Sequence, residues 1–290
     1  MKVKKAVIAA AGLGTRVLPA SKAIPKEMLP IVDKPAIQYI VEEIVNAGIT
    51  DILIITSRGK TVMEDHFDRS PELEQRLEAS GKTAMLKDVI DVANLANITY
   101  LRQKETKGLG HAIYCAKQFA EGEPIAVCYG DDVIIGEDPA IGQLCRAYDE
   151  YGLGVVGIKQ VKAEDIHKYS SLAVTNLKDN IYRVTDMIEK PDTPDKVLSL
   201  FSILGRCVLP PEIFDLLENT KPGAGGEIQL TDAMKELARR DTMIGVDFTG
   251  KRYDMGSKLG IMQAAVETAL IHPEIGDDFR AYLKDLAKTL

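Results

Sequence analysis

At 290 residues, the chain is long enough for one large α/β domain or for a core with a smaller appendage. Its apolar fraction of 46% is ample for a core, and its charged fraction of 27% is ordinary. The formal net charge of −7 argues against a broad nucleic-acid-binding face, so any cations that bind phosphate must be concentrated locally.

The sequence gives no sign of export or of a membrane span. Early lysines precede an apolar run, as in a signal peptide, but the run is too short and ends at Gly12. No stretch approaches the ~20 apolar residues that a membrane helix needs. The cysteines lack C-x-x-C spacing, which is typical of buried free thiols in a reducing cytosol. We therefore expect a soluble, cytoplasmic protein that binds neither nucleic acid nor membranes.

The first predicted strand is the short apolar run 3–11, which is followed by Gly12 and Gly14. Glycine lets backbone amides face a ligand because no Cβ stands in the way. Three cations follow in the same loop: Arg16, Lys22 and Lys26. A strand end, bare amides and clustered cations together predict a polyphosphate site.

Two familiar phosphate-binding motifs do not fit this loop. The dinucleotide fingerprint G-x-G-x-x-G needs a third glycine at position 17, where Val17 stands. The P-loop pattern G-x-x-x-x-G-K-[ST] has no downstream partner for Gly12. On two glycines alone, a tight turn with solvated cations is the favoured interpretation, whereas the full run through Pro30 is far more specific.

Strands and helices then alternate along the chain. Helical spacing of apolar residues begins near Pro35 and closes at Gly48, and a buried strand follows at 51–56. This order predicts a parallel sheet with a crossover helix. Further strands are predicted at 98–102, 124–129 and 154–160, two acidic helices at 70–78 and 83–94, and a hairpin of 172–175 with 182–188.

Polar residues follow several of these strands, where ligands of open α/β sheets gather. Gln103 follows the third strand, and a glycine-rich turn with Gly108 leads into a helix in which His111 is interpreted as structural. Asp131 and Asp132 follow the fourth strand and are candidate Mg²⁺ ligands, although a turn or a helix cap is as frequent for G-D-D alone.

The second half of the chain offers further candidates. Glu189 and Lys190 follow the hairpin, where an ordinary surface pair is the alternative. Thr231 has the character of a helix N-cap, and Asp254 precedes another helix that it could cap. A final apolar stripe at helical spacing would pack on the core or across a subunit interface: Phe279, Tyr282, Leu283 and Leu286.

The run AAGLGTRVLPASKAIPKEMLPIVDKPAIQYIVEE, residues 10–43, resembles the signature of the sugar-phosphate nucleotidyltransferases, which share G-x-G-T/S-R and P-K. Its K-E-M-L-P form, followed by K-P-A-I-Q-Y, resembles the bacterial UTP–glucose-1-phosphate uridylyltransferase branch. The resemblance spans nearly the whole chain. It implies an α/β fold with a Rossmann-like, mixed, mainly parallel central sheet flanked by helices, a small β-hairpin region that binds sugar, and C-terminal helices.

The resemblance also implies an activity and an organisation. The enzyme would transfer a uridylyl group from UTP to glucose 1-phosphate, with Mg²⁺, and would release UDP-glucose and pyrophosphate. One domain, residues 1–290, would comprise a nucleotide-binding part (1–160) and a sugar-binding and C-terminal helical part (161–290). A homodimer or homotetramer is expected.

Site residues carried over from the family fall into four groups. The catalytic residues would be Arg16, Lys26 and Lys190. The nucleotide would be bound by Ala10, Ala11, Gly12, Gly14, Glu27, Gln103, Gly108 and Asp131, with Gln103 reading the uracil edge. The sugar would contact Glu189 and the sugar phosphate Lys190, and the metal ligands would be Asp131 and Asp254.

One position departs from the family pattern. The family has K-Y-G before the hairpin, whereas this chain has Ser170 in place of the glycine, which would narrow the sugar pocket or fill its rim. Three alternatives stay open: a related nucleotidyltransferase with another base or sugar preference, a catalytically weak sugar-nucleotide-binding paralogue, and a dinucleotide oxidoreductase, against which the missing third glycine argues.

Overall fold

The apolar runs of the sequence form a nine-stranded sheet in the computed structural model, which describes residues 2–289. The strands are β1 (Lys5–Ala9), β2 (Pro30–Ile31), β3 (Lys34–Pro35), β4 (Asp51–Thr56), β5 (Asn97–Arg102), β6 (Ile125–Tyr129), β7 (Asp132–Ile135), β8 (Gly154–Gln160), β9 (Ser170–Lys178), β10 (Ile181–Glu189), β11 (Phe201–Leu209), β12 (Met243–Asp247) and β13 (Lys251–Asp254). The helices are α1 (Ala36–Asn46), α2 (Val62–Phe67), α3 (Pro71–Ala79), α4 (Thr83–Ala93), α5 (Leu109–Tyr114), α6 (Lys117–Ala120), α7 (Ala140–Tyr151), α8 (Ile213–Asn219), α9 (Leu230–Arg239), α10 (Lys258–Ile271) and α11 (Gly276–Leu286).

The strand order of the large sheet is β5-β4-β1-β6-β11-β8-β12-β10-β9. β1 pairs in parallel with β4 and β6, β4 with β5, and β8 with β12. β11 is antiparallel to β6 and β8, and β10 is antiparallel to β12 and β9. Only β10 and β11 therefore run against the other strands of this sheet. The predicted mixed, mainly parallel sheet is confirmed.

Both faces of the sheet are buried, as a mainly parallel sheet requires. Successive residues of β1 point to opposite faces: Val7 belongs to the apolar cluster that contains α5, α8 and α9, and Ile8 to the cluster that contains α1 and α7. Leu53 and Ile54 of β4 divide in the same way. Covering helices on both sides leave the ends of the strands as the place where polar loops can meet a ligand.

Most predicted elements are confirmed, with small shifts at their ends. The acidic helices correspond to α3 and α4, the hairpin to β9 and β10, and the C-terminal stripe to α11. Tyr282 and Leu286 of that stripe are exposed within this chain. No helix in residues 2–289 is both long and apolar enough to cross a membrane. The helix α7 and the two-stranded sheet of β7 and β13 were not predicted.

A fully buried arginine ties the sheet to the helices on one face. Arg206 of β11 contacts Glu43 of α1 through Nη2 and Oε2 at 2.6 Å and through Nε and Oε1 at 3.0 Å. The guanidinium also donates to the carbonyls of Gly205 and Asp132. Glu43 in turn accepts the backbone N–H of Ile141 at 2.9 Å. Each of these buried charges is therefore both paired and hydrogen-bonded, which is the condition for tolerating it.

We expect the substitution Arg206→Met to lower the free energy of unfolding by about 3–5 kcal/mol, because it leaves the Glu43 carboxylate buried without its partner. Urea unfolding measures this change. The matched control is Arg146→Met, which breaks an exposed pair with Asp138 and should cost at most about 1 kcal/mol. Equal losses in the two variants would contradict the role of the buried pair.

Candidate active site

A cleft of about 1110 Å³ contains part of the predicted site. The predicted residues that line it are Arg16, Asp131, Asp132, Glu189, Lys190 and Asp254. The other predicted catalytic and nucleotide-binding residues do not line the cleft, but contacts connect several of them to it. Lys26 pairs with Asp131, and Gly108 precedes Leu109, which lines the cleft.

Strand register explains why the loops after β1, β4, β5 and β6 meet. Ala9 is paired with both Ile55 and Tyr129, so the chain leaves these parallel strands at one edge. The N–H of Gly130 donates to the carbonyl of Ala9 at 3.0 Å, and a Cβ at Gly130 would lie 2.7 Å from that oxygen. Only glycine therefore allows this approach. Gln103 leaves the sheet beside β4, since its N–H donates to the carbonyl of Thr56 at 2.8 Å.

Alternating charges form the centre of the site. Asp131 Oδ2 is 2.5 Å from Lys26 Nζ and 3.5 Å from Arg16 Nη2. Arg16 Nη1 is 3.3 Å from Asp254 Oδ2. The Arg16 side chain is 62% exposed, whereas Lys26 is only 13% exposed. The arginine can therefore move toward a ligand while the lysine is held in place.

Asp254 reaches this cluster through the unpredicted pairing of β7 with β13, which sets Asp254 opposite Asp132. The N–H of Met255 donates to the carbonyl of Asp131, and Oδ1 of Asp254 accepts the N–H of Gly256 at 2.8 Å. The alternative role of Asp254 as a helix cap is wrong, because Ser257 is the N-cap of α10 and its hydroxyl accepts from Gly260. Oδ2 of Asp254 faces Arg16 instead.

Opposite charges, more than burial, set the ionisation of the central pair. Burial alone would raise the pKa of Asp131, but the charges of Lys26 and Arg16 outweigh it, so the pKa lies below its usual value. Burial would likewise lower the pKa of Lys26, but Asp131 and Glu27 hold it above its usual value. Both groups are charged at neutral pH.

Two carboxylates bridged by one guanidinium suit a divalent cation that also binds phosphate. Mg²⁺ is commonly held by one or two carboxylates plus substrate phosphates and water. No cluster of three or more carboxylate, histidine or cysteine ligands occurs among residues 2–289. The Oδ2 atoms of Asp131 and Asp254 both lie within 3.5 Å of Arg16. The donor set fits such a cation and does not form a complete protein cage.

Lys60, which the sequence analysis did not predict, stabilises the loop after β1 by hydrogen bonds. Its Nζ donates to the carbonyl of Ala10 at 2.5 Å and to Glu27 Oε2 at 2.8 Å, and both side chains are almost fully buried. Burial lowers the pKa of Lys60 and raises that of Glu27, and each charge opposes the shift of the other. Because Glu27 has no exposed surface, it acts on the loop through Lys60.

The glycines of this loop serve its conformation. Gly14 adopts a left-handed conformation with φ of 68°, and its carbonyl accepts from Ser21 Oγ at 2.6 Å. A Cβ at Gly12 would lie 3.8 Å from Lys26 Nζ, so the loop passes directly over the lysine. The predicted neighbours Ala10 and Ala11 are both buried. The backbone of this loop and the lysine therefore face the same space.

Gln103 and Gly108 lie next to each other. Gln103 Nε2 is 3.3 Å from the carbonyl oxygen of Gly108 and 2.8 Å from His111 Nδ1. Gly108 has φ of 100°, and a Cβ there would lie 2.7 Å from the carbonyl oxygen of Ile228. The turn is therefore closed by the segment that precedes α9, and glycine is required in it.

The predicted sugar residues lie at the end of β10. Glu189 Oε2 accepts a hydrogen bond from Thr231 Oγ1 at 2.7 Å. The prediction that Thr231 is a helix N-cap is therefore wrong, and α9 begins one residue earlier, at Leu230. Lys190 Nζ lies 3.7 Å from Glu189 Oε1 and is half exposed. The backbone of Lys190 has φ of 46°, which is unusual outside glycine, and its N–H donates to the carbonyl of Tyr169.

Ser170 lines the cleft but directs its hydroxyl inward. Its Oγ accepts the N–H of Ile203 at 3.1 Å and lies 3.3 Å from Ser202 Oγ. Ser170 is only 4% exposed. These contacts favour the expectation that Ser170 fills the rim of the pocket.

Arg252 was also missed by the sequence analysis. Its Nε and Nη2 contact Asp132 Oδ1 at 2.6 and 2.5 Å, and its guanidinium lies over the Tyr169 ring at 5.2 Å from the centroid. Burial raises the pKa of Asp132 to about 6, against the opposing charge of Arg252. Arg252 therefore connects the carboxylate side of the cleft to Tyr169. The carbonyl of Tyr169 in turn accepts the backbone N–H of Lys190.

Comparisons with known proteins agree with this geometry. A family model described as nucleotidyl transferase matches residues 5–269. A UTP–glucose-1-phosphate uridylyltransferase of Bacillus subtilis is 52% identical over 99% of this chain and 96% of its own length. One of Staphylococcus epidermidis is 50% identical over 98% of this chain and 99% of its own length.

Solved structures match over similar lengths. A UTP-bound UGPase from Acinetobacter baumannii has a TM-score of 0.90 at 36% identity, covering 98% of this chain and 99% of that one. A UDP-glucose pyrophosphorylase complexed with UDP-glucose has a TM-score of 0.83 at 42% identity, covering 91% of this chain and 97% of that one. The chain therefore belongs to the nucleotidyl transferase family, in the branch of the UTP–glucose-1-phosphate uridylyltransferases.

Proposed function

We propose that this chain transfers the uridylyl group of UTP to glucose 1-phosphate and releases UDP-glucose and pyrophosphate. The observation that carries this proposal is the charge cluster of Lys26, Asp131, Arg16 and Asp254, of which the last three line the cleft together with Glu189 and Lys190. The names of the relatives support the reaction. The UTP-bound and UDP-glucose-bound neighbours support the substrate and the product.

Repulsion between the two substrates is the main physical obstacle to this reaction. A pair of like unit charges 4 Å apart costs ~1 kcal/mol in water and ~4 kcal/mol at an effective dielectric constant of 20. Several such pairs would prevent approach, so catalysis must consist mainly of positioning and charge neutralisation. A cleft whose charge cluster pairs two cationic side chains, Arg16 and Lys26, with two carboxylates is suited to this task.

The bond changes need no covalent enzyme intermediate. An oxygen of the sugar phosphate attacks the α-phosphorus of UTP in line, a P–O bond forms, and the bond to the departing pyrophosphate breaks. In this proposal Lys26 neutralises the α-phosphate, and Arg16 and the amides of Gly12 and Gly14 hold the departing phosphates. Lys190 holds the sugar phosphate and Glu189 the sugar hydroxyls. The family resemblance implies these roles, and the charge of the side chains and their position in the loop and the cleft support them.

Magnesium would be held by Asp131 and Asp254. When bound, Mg²⁺ supplies positive charge beside the phosphates. Arg16 and Lys26 each donate to these carboxylates, and both side chains would be free to donate to phosphate oxygens once the carboxylates held the cation.

We further propose that residues 1–290 act as one domain whose nucleotide-binding part (1–160) and sugar-binding part (161–290) share the cleft. The contact between Arg16 and Asp254 joins the two parts and supports the shared cleft. Assembly as a homodimer or homotetramer, and a cytoplasmic location, belong to the same proposal.

The direct test is pyrophosphate release from UTP across a panel of sugar 1-phosphates, repeated with dTTP in place of UTP. We expect glucose 1-phosphate with UTP to give the highest kcat/KM. A higher value for another pair would favour a related sugar-1-phosphate nucleotidyltransferase. Absence of release with every pair, despite UTP binding, would favour a catalytically weak sugar-nucleotide-binding paralogue.

The substitution Lys26→Ala should lower kcat/KM by about 10²–10³-fold, because it removes a positioned cation from the developing charge. The unfolding temperature should change little. Lys22→Ala is the matched control, since Lys22 is an exposed lysine of the same loop, and its kcat/KM should stay near that of the parent. Near-normal turnover of the Lys26 variant would refute the assignment.

The substitution Asp254→Asn should raise the Mg²⁺ concentration needed for half-maximal activity by about tenfold or more, because it replaces a carboxylate ligand with a weaker amide ligand. Even substitutions of residues that only contact a metal ligand typically lower metal affinity by about tenfold or more. The measurement is a Mg²⁺ titration of initial rates at saturating substrates. Asp278→Asn on exposed α11 serves as the control. A lower kcat without any shift in the Mg²⁺ requirement would contradict a ligand role for Asp254.

A further inference from the structure

The side-chain amide of Gln103 is locked in one orientation. Its Nε2 faces the carbonyl oxygen of Gly108 at 3.3 Å and His111 Nδ1 at 2.8 Å. A carbonyl oxygen can only accept a hydrogen bond, so the amide nitrogen must face it. The opposite flip would set Oε1 against that oxygen. Both N–H donors are therefore used, and among residues 2–289 no donor is bonded to Oε1.

This orientation in turn specifies the state of His111. Because Gln103 Nε2 donates, Nδ1 of His111 must accept, which places the imidazole proton on Nε2. Burial, and then the charge of Lys107, lower the pKa of His111 against the opposing charge of Glu105, so the ring is neutral at pH 7. A protonated ring would set N–H against N–H.

The turn itself does not depend on this histidine. The N–H of Gly110 donates to the carbonyl of Ile228 at 2.8 Å, and the N–H of Ile228 donates to the carbonyl of Lys107 at 2.8 Å. These backbone bonds, together with the contacts that exclude a Cβ at Gly108, hold the turn in place. The hydrogen bond from Gln103 is therefore not needed to fold the segment.

We propose that His111 is a positioning residue for base selection: by accepting from Gln103 Nε2, it leaves Oε1 as a fixed acceptor for the N3–H of a uracil-type base. This inference rests on the proposed function and on the contact between Gln103 and the uracil edge that the family resemblance implies. Uracil carries a hydrogen at N3, whereas cytosine has a lone pair there. Cytosine would thus face an acceptor with an acceptor, and a site built to hydrogen-bond one group rejects the analogue that lacks it.

The test compares UTP with CTP in the parent chain and in His111→Phe, His111→Asn and His272→Phe. Dissociation constants from calorimetry and kcat/KM values from pyrophosphate release are both measured. We expect the preference for UTP over CTP to fall by about tenfold in His111→Phe, because the Gln103 amide then loses the 2.8 Å hydrogen bond and only the longer contact with Gly108, at 3.3 Å, still orients it. His111→Asn keeps an acceptor near the position of Nδ1 and should restore the ratio to within about threefold. The control His272→Phe, a histidine paired with Asp33, should leave the ratio unchanged.

The two readouts separate this inference from the proposed function. If binding shows the expected pattern but no pyrophosphate is released, the transferase proposal fails and the role of His111 stands. An unchanged ratio in His111→Phe would overturn the role of His111, and so would an Asn variant that behaves like the Phe variant. A parent chain that binds CTP as tightly as UTP would overturn it as well. The KM for glucose 1-phosphate should not change, because the sugar residues lie at the end of β10.

Discussion

The ion pair between Lys26 and Asp131 is the contact on which the site depends. It joins the loop after β1 to the loop after β6, which leave the sheet at the same edge. Opposite charge holds both groups ionised although both are largely buried. A buried carboxylate without a partner would protonate, and a buried lysine without one would lose its proton. Each group therefore keeps the other in the form that phosphate chemistry needs.

In the proposed function, the same pairing prepares the cleft for a polyanion and its counter-ion. In the structure the carboxylates of Asp131 and Asp254 occupy the donors of Lys26 and Arg16. In the proposed function, a phosphate chain that arrives with a divalent cation would offer a new partner to each of these four groups, so that no charge would be left without a partner. This exchange costs less than uncovering a buried charge, because every group is paired before and after it.

The sequence predicts the parts of the site that depend on local pattern. The loop of Gly12 to Lys26 and the carboxylate at Asp131 follow apolar strands, and parallel topology brings such strand ends together. Lys60 and Arg252 could not be predicted in this way, since their partners are 33 and 120 residues away. The pairing of β7 with β13, which delivers Asp254, is too short to give a periodic signal. The prediction for Thr231 was wrong because a hydroxyl near the start of a helix can donate to a residue outside the helix, here Glu189, instead of capping the helix N-terminus.

In the proposed function, the two ends of the site would select their ligands by different physical interactions. At the phosphate end, charge dominates, and Arg16 is exposed and free to adjust to its partner. At the base end, no ion pair holds Gln103; neutral hydrogen bonds fix the direction of one amide, and glycine at position 108 fixes the turn around it. Ionic contacts tolerate small displacements, whereas a hydrogen bond weakens steeply with angle. Under this proposal, affinity for any nucleoside triphosphate would come from the phosphate end, while discrimination between bases would depend on the neighbours that orient the Gln103 amide.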